Sequence, residues 1–192
     1  MSDQSRSKIQ IEDTGMNSRF SKILLAATTV AFLLPSSVFA QGIAHRRVTY
    51  RNARGGVTTA RGTAAVGPNG GRAVHGRAVS TDAAGDVKSV RGSAFSGPNG
   101  ARGARGASNT LSANGSATHK SGFAASGANG SIKSTGTAQR NADGSASGER
   151  TTTATGKNGN TYNGTTTWQK GEGVQHTATC TNASGATIPC KK

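Results

Sequence analysis

An internal repeat constrains this chain more than any other feature. Arg61-Gly-Thr-Ala-Ala-Val-Gly-Pro-Asn-Gly70 recurs thirty residues on as Arg91-Gly-Ser-Ala-Phe-Ser-Gly-Pro-Asn-Gly100. It recurs again as Ser121-Gly-Phe-Ala-Ala-Ser-Gly-Ala-Asn-Gly130, and in decayed form as Thr151-Thr-Thr-Ala-Thr-Gly-Lys-Asn-Gly159. A second set of turn signals, Ala83-Ala84-Gly85, Ala113-Asn114-Gly115 and Ala142-Asp143-Gly144, lies between the copies and halves the period to about 15 residues. A low-complexity tail has no reason to hold such a register, whereas a stack of identical supersecondary units does.

The turn chemistry identifies the unit. Pro or Ala, then Asn or Asp, then Gly is the order of a three-residue hairpin loop. The first two positions form a type I turn and the glycine takes the left-handed conformation that closes it. Removing three loop residues from the half-period leaves about 12 residues per strand, some 40 Å of extended chain. The expected fold is therefore all-β, built of long antiparallel hairpins of about 30 residues each. A flat meander sheet, a sandwich and a solenoid-like array all satisfy it.

Register gives an independent test, because a three-residue loop pairs residues symmetrically about its centre. With centres at Asn69, Ala84, Asn99, Asn114 and Asn129, the glycines Gly62, Gly76, Gly92, Gly106, Gly122 and Gly136 fall opposite one another in a single row. Their face also carries Ala64, Val74, Ala94, Ala104 and Ala124, and Ala60, Ala78, Val90 and Ser108. The other face carries Thr63, His75, Ser93, Arg105 and Phe123, beside Arg61, Arg77 and Arg91 as consecutive cross-strand neighbours. Glycine weakens a strand, so a row of it implies that a second sheet, another copy or an extended ligand approaches the backbone there. Adjacent like charges repel. Arg61, Arg77, Arg91 and Arg105 are accordingly the candidate polyanion-binding residues.

Composition sets the compartment and the partner class. Residues 23–34 form an apolar run preceded by Arg19 and Lys22 and followed by Pro35-Ser-Ser-Val-Phe-Ala40. That is the pattern of a secretory signal peptide with cleavage after Ala40. A start at Met16 would give a signal of ordinary length. Without residues 1–40, which hold four basic residues and three acids, the chain keeps 19 Lys and Arg against 5 Asp and Glu, a net charge of +14. Only 14 of those 152 residues are Leu, Ile, Val or Phe. So low a share with so high a charge ordinarily marks disorder, and the repeat is what argues against it. An exported protein this basic is expected to associate non-specifically with anionic polysaccharide, lipopolysaccharide or extracellular nucleic acid.

The domain reading follows: residues 41–56 lead in, 57–173 carry the hairpin repeats, and 174–192 form a terminal hairpin. Cys180 and Cys190, the two cysteines of the chain, are expected to close that hairpin as a disulfide in an oxidising compartment. Tyr162 and Trp168 read as packing for the atypical end of the array.

No catalytic constellation is visible. Asp82, Asp86, Asp143, Glu149 and Glu172 are scattered at or near turns, and His45, His75, His119 and His176 share no metal-ligand spacing. Gly100-Ala-Arg-Gly103-Ala-Arg-Gly106 lacks the Gly-Lys-Ser/Thr ending of a phosphate loop. Neither an enzyme activity, a small-molecule substrate, a metal nor a cofactor is expected. An outer-membrane barrel would need bulky lipid-facing residues, and an ice-binding array would need uninterrupted threonine rows, of which Thr151-Thr-Thr153 and Thr165-Thr-Thr167 are only fragments.

Repeated Gly- and Asn-rich hairpins behind a signal peptide resemble bacterial secreted adhesin and matrix proteins, including functional amyloid subunits of the curli type. Residues 57–173 carry that resemblance through repeat style, without the glutamine ladders of curli repeats, and it transfers no site residue. The 30-residue period, the glycine row and the charge together point to a secreted or cell-surface, non-enzymatic protein that binds anionic polymers or self-associates through its Gly/Ala-rich face. The alternatives are a disordered cationic chain acting on membranes and an amyloid-type structural subunit.

Overall fold

The computed structural model describes residues 42–190. The signal-peptide reading, its cleavage site and the terminal Lys191-Lys192 lie outside them. Eleven strands run β1 (Gly42–Arg51), β2 (Val57–Val66), β3 (Arg72–Thr81), β4 (Val87–Ser96), β5 (Arg102–Leu111), β6 (Ala117–Gly127), β7 (Gly130–Arg140), β8 (Ala146–Gly156), β9 (Thr161–Gln169), β10 (Gly173–Thr181) and β11 (Thr187–Ile188). They form one antiparallel sheet in sequence order. Only sequential neighbours touch, so the sheet neither closes into a barrel nor folds back as a sandwich. The long strands hold 9 to 11 residues, shorter than the spacing of the turns suggested, because each loop also uses the residues flanking its central three. Residues 42–51 of the lead-in segment are themselves a full strand, paired with β2 from end to end.

The loops are of the expected kind. In the loop centred on Asn69, the Gly67 amide donates to the Gly71 carbonyl at 2.8 Å and the Gly70 amide to the Gly67 carbonyl at 3.1 Å, with Gly70 at φ 75°. The same bonds recur around Ala84, Asn99, Asn114, Asp143 and Asn158. At one end of the sheet several loops open on Asn or Asp, whose carboxamide or carboxylate braces the turn. Asp82 Oδ1 accepts from the amides of Ala84 and Asp86, both at 3.0 Å. Bonds from the Ser145 hydroxyl and amide hold the Asp143 carboxyl below the usual carboxylate range. These loops are also stitched sideways: the Ala83 amide donates to the Arg54 carbonyl at 3.0 Å, the Ala113 amide to Asp86 Oδ1 at 2.9 Å, and Lys170 Nζ to the Gly144 carbonyl at 3.0 Å.

The register matches expectation through β6 and departs from it at one hairpin. Gly62, Gly76, Gly92, Gly106 and Gly122 stand in a single row. Gly136 does not join it. Gly127 pairs with Gly130 across a two-residue loop, Ala128-Asn129, so Gly122 faces Thr135 and Gly136 faces Ser121 on the opposite side of the sheet. Beyond β6 the glycine row therefore continues as Thr135, Thr151, Thr165 and Thr177. That slip keeps the apolar side chains together. On the basic face it continues one row, Phe95, Gly103 and Ala125, as Ile132, Ala154 and Tyr162, where the expected register would have continued it as Lys133, Thr153 and Asn163.

A single-layer sheet has little interior. Ala60 and Ala107 are the buried apolar residues among those described, and Ser134, 2% exposed, is the most enclosed side chain. The Ser134 hydroxyl donates to the Thr151 carbonyl at 3.0 Å and meets Thr152 Oγ1 at 2.9 Å, so its burial is fully compensated. Large rings lie over glycines and shield the backbone there. A Cβ at Gly103 would sit 2.6 Å from Phe95 Cε1, and one at Gly148 would collide with the Trp168 indole nitrogen.

Cys180 and Cys190 form the expected disulfide, with Cα atoms 5.3 Å apart. It matters locally, because only two pairs, Cys180 with Ile188 and Thr181 with Thr187, attach β11 to the sheet. Closing so short a loop contributes roughly 2 to 3 kcal/mol to the closed form. Reduction should therefore expose the Thr187 and Ile188 amides to fast hydrogen exchange and leave the amides of β2 to β9 as protected as before. Loss of protection across the whole sheet would mean that the disulfide holds more than this corner.

Candidate polyanion-binding face

Alternation along each strand separates two faces. The face opposite the glycine row carries Arg61, Arg77 and Arg91 directly across from one another on β2, β3 and β4. Arg47 on β1 pairs with Arg61 and makes the ladder four arginines long. At about 4.8 Å between strands the four stems span about 14 Å. All four side chains are exposed.

Arg105 lies one row along. It faces Ser93 on β4, to whose hydroxyl its Nε donates at 3.0 Å, and Phe123 on β6. The same row holds His45 and His75. In the ladder's own row, Arg91 is followed by the small residues Ala107, Ser121 and Gly136 and then by Arg150 on β8. Arg150 Nη1 donates to the buried Ser134 hydroxyl at 3.3 Å. The small residues leave a hollow of about 770 Å³, lined by Arg91, Arg105, Arg150, Phe95, Phe123 and His75 among others.

No acid stands on this face of any described strand. Among the described residues Glu149 is the one carboxylate within a strand, where it shares the glycine face with Thr137 and Thr167, and the other four described acids sit in loops. The ladder's mutual repulsion therefore has no carboxylate on its own face to offset it. A second hollow, of about 500 Å³, is lined by Lys120, Glu149, Thr137 and Gln175 on the glycine face and by Trp168. With Glu172 also in its lining, two carboxylates stand against one lysine, so it offers no attraction for an anion.

No family model, curated protein or solved structure matches the chain. Its chemistry must be read from the face itself. Among the described residues no three His, Cys, Asp or Glu side chains come together as metal ligands. His45 Nδ1 meets Thr63 Oγ1 at 2.9 Å, and His119 Nδ1 meets Asn109 Oδ1 at 2.6 Å, each a cross-strand pair without a neighbouring carboxylate. What the face can do is hold negative charge along a line and accept a flat group beside it.

Sequence reasoning placed Arg61, Arg77, Arg91 and Arg105 on one face, and there the structure puts them. It missed Arg47 and Arg150. Arg47 was legible: it mirrors Arg61 about the Asn52-Ala-Arg-Gly-Gly56 turn, which opens on the Asx signal found in other loops. Arg150 was hidden behind the register slip, which moves it to the basic face.

Proposed function

We propose that this is a secreted or cell-surface, non-enzymatic sheet protein that binds anionic polymers through its basic face. The observation that carries the reading is the ladder Arg47, Arg61, Arg77 and Arg91 on four consecutive strands of a face whose described strands hold no acid. A net charge of +14 on residues 41–192 supplies long-range attraction, and the ladder supplies a line along which a polymer can neutralise repulsion already present in the free protein. The apolar N-terminal run and the disulfide agree with export. A continuous eleven-stranded sheet gives the disordered cationic chain no support.

Substituting Arg61, Arg77 and Arg91 together by Ser tests this. Against a linear polyanion, the slope of log affinity on log salt should flatten by about 2 to 3, since each phosphate contact on a single strand contributes about 0.7 and on a duplex about 0.9. The sheet itself should be no less stable, because the substitution removes like-charge contacts. An unchanged slope would remove the ladder from the binding site.

A further inference from the structure

The hollow beside the ladder differs in chemistry from the ladder, and a polymer of charge alone would leave it unused. Phe95 lies across the backbone of Gly103, its cross-strand partner, yet remains 51% exposed, so its ring is spread on the sheet surface with open area beside it. Phe123 stands in the next row, between Arg105 on β5 and Ser134 on β7, and lines the same hollow. The guanidinium-bearing chains of Arg91, Arg105 and Arg150 complete the rim, and the floor is Ala107 and Ser121. Aromatic platforms inside a positively charged track are the arrangement that holds unpaired bases while cations follow the backbone.

We propose that the hollow between β4 and β8 is a stacking site for the bases of a single-stranded nucleic acid whose phosphates run along the arginine ladder. The proposal rests on the polyanion reading and narrows it to one ligand class. A duplex keeps its bases stacked internally and offers the hollow nothing flat. An acidic polysaccharide would want carboxamides and carboxylates to bond its hydroxyls, and the hollow's lining contains neither. Stacking on these rings would accept any base, because every base has a flat face. Ser93, whose hydroxyl accepts from Arg105 Nε at 3.0 Å, positions that guanidinium beside Phe123.

The test compares a fluorescently labelled oligothymidylate with an abasic oligonucleotide of equal phosphate number, titrated with the purified protein at fixed salt. The thymidylate should bind about tenfold tighter, the weight of one well-stacked base. The Phe95→Leu and Phe123→Leu double variant keeps apolar bulk over Gly103 but removes the aromatic faces. It should bring the thymidylate down to the abasic affinity and leave the abasic affinity and the circular dichroism spectrum unchanged. If the two oligonucleotides bind the native protein equally, the stacking site is wrong and the polyanion reading stands. If neither binds at low salt, both fail. Should the double variant lose its spectrum, the comparison of the two oligonucleotides on the native protein still decides the matter.

Discussion

Replacing Gly130 by Ala is expected to destabilise the sheet by about 3 to 5 kcal/mol, well above the same change at an open turn glycine such as Gly115. Two costs coincide there. The residue sits at φ 123°, outside what an L side chain adopts without strain, and a Cβ would drive into the carbonyl oxygen of Thr155. Backbone strain of this kind costs about 1 to 3 kcal/mol, and moving Thr155 away disturbs the Gly130–Gly156 and Ser131–Thr155 pairs, at about 1 kcal/mol for each hydrogen bond lost. Gly115 is the control. It is left-handed at φ 84°, and a methyl group there would meet nothing within 4 Å, so Gly115→Ala should cost only the left-handed penalty of about 1 to 2 kcal/mol. Urea unfolding of both variants checks the difference. Equal midpoints would mean that the close approach of β8 to Gly130 carries no energy.

That contrast also locates where sequence reasoning stopped. Pro68-Asn69-Gly70 and Pro98-Asn99-Gly100 fix their loops through local chemistry, so the pairing of β2 with β3 and of β4 with β5 could be read from turn residues alone. Ala128-Asn129-Gly130 looks like the same loop and behaves differently, because there the packing of the following strand decides. A one-residue change of register swaps every side chain across the sheet, and the observed register keeps Ile132 and Tyr162 in the row of Phe95 and places Trp168 and Arg150 on the same face. A sign of it was present. Asn114-Gly115 and Asp143-Gly144 are 29 residues apart, where the preceding turns keep a spacing of 30. The missing residue lies in this hairpin. The hollow was invisible for the same reason, since Gly136 and Arg150, paired about the Asp143 loop, come onto the basic face only through the slipped register.

The single layer explains why register can be decided so weakly at one loop and so firmly elsewhere. With Ala60 and Ala107 as the buried apolar side chains among the described residues, hydrophobic burial contributes little, and the sheet depends on its backbone ladder and on contacts between adjacent side chains. Such contacts are short-ranged. Each hairpin is therefore nearly independent of those two strands away, as in other repeat architectures, and a local change of one residue is transmitted only by the pairing of the next strand. The outer strand β1 protects its open edge with Arg46, Arg47 and Arg51, charges that discourage another strand from adding there.

One residue inserted between Gly130 and Ser131 should accordingly be tolerated, and the same insertion between Ser134 and Thr135 should not. The first restores the 30-residue spacing. It lets Ala128-Asn-Gly130 close as a three-residue loop while Ser126 still meets Ser131 and every later pair is kept. Stability is expected to stay within about 1 kcal/mol of the native protein, the usual scale for lengthening a hairpin loop. The second insertion falls inside β7, which is bonded to β6 on one side and β8 on the other. Neither neighbour has an extra residue to match, so a bulge must disrupt both ladders at once, or the rest of β7 must turn its side chains to the wrong face. Either result breaks the Thr135–Thr151 hydroxyl pair at 2.8 Å and separates Arg150 from Ser134. A loss of about 4 kcal/mol or more, or of the cooperative transition itself, is expected in urea unfolding. If the two insertions proved equally mild, pairing on both sides of β7 would not be what fixes the register of the C-terminal half.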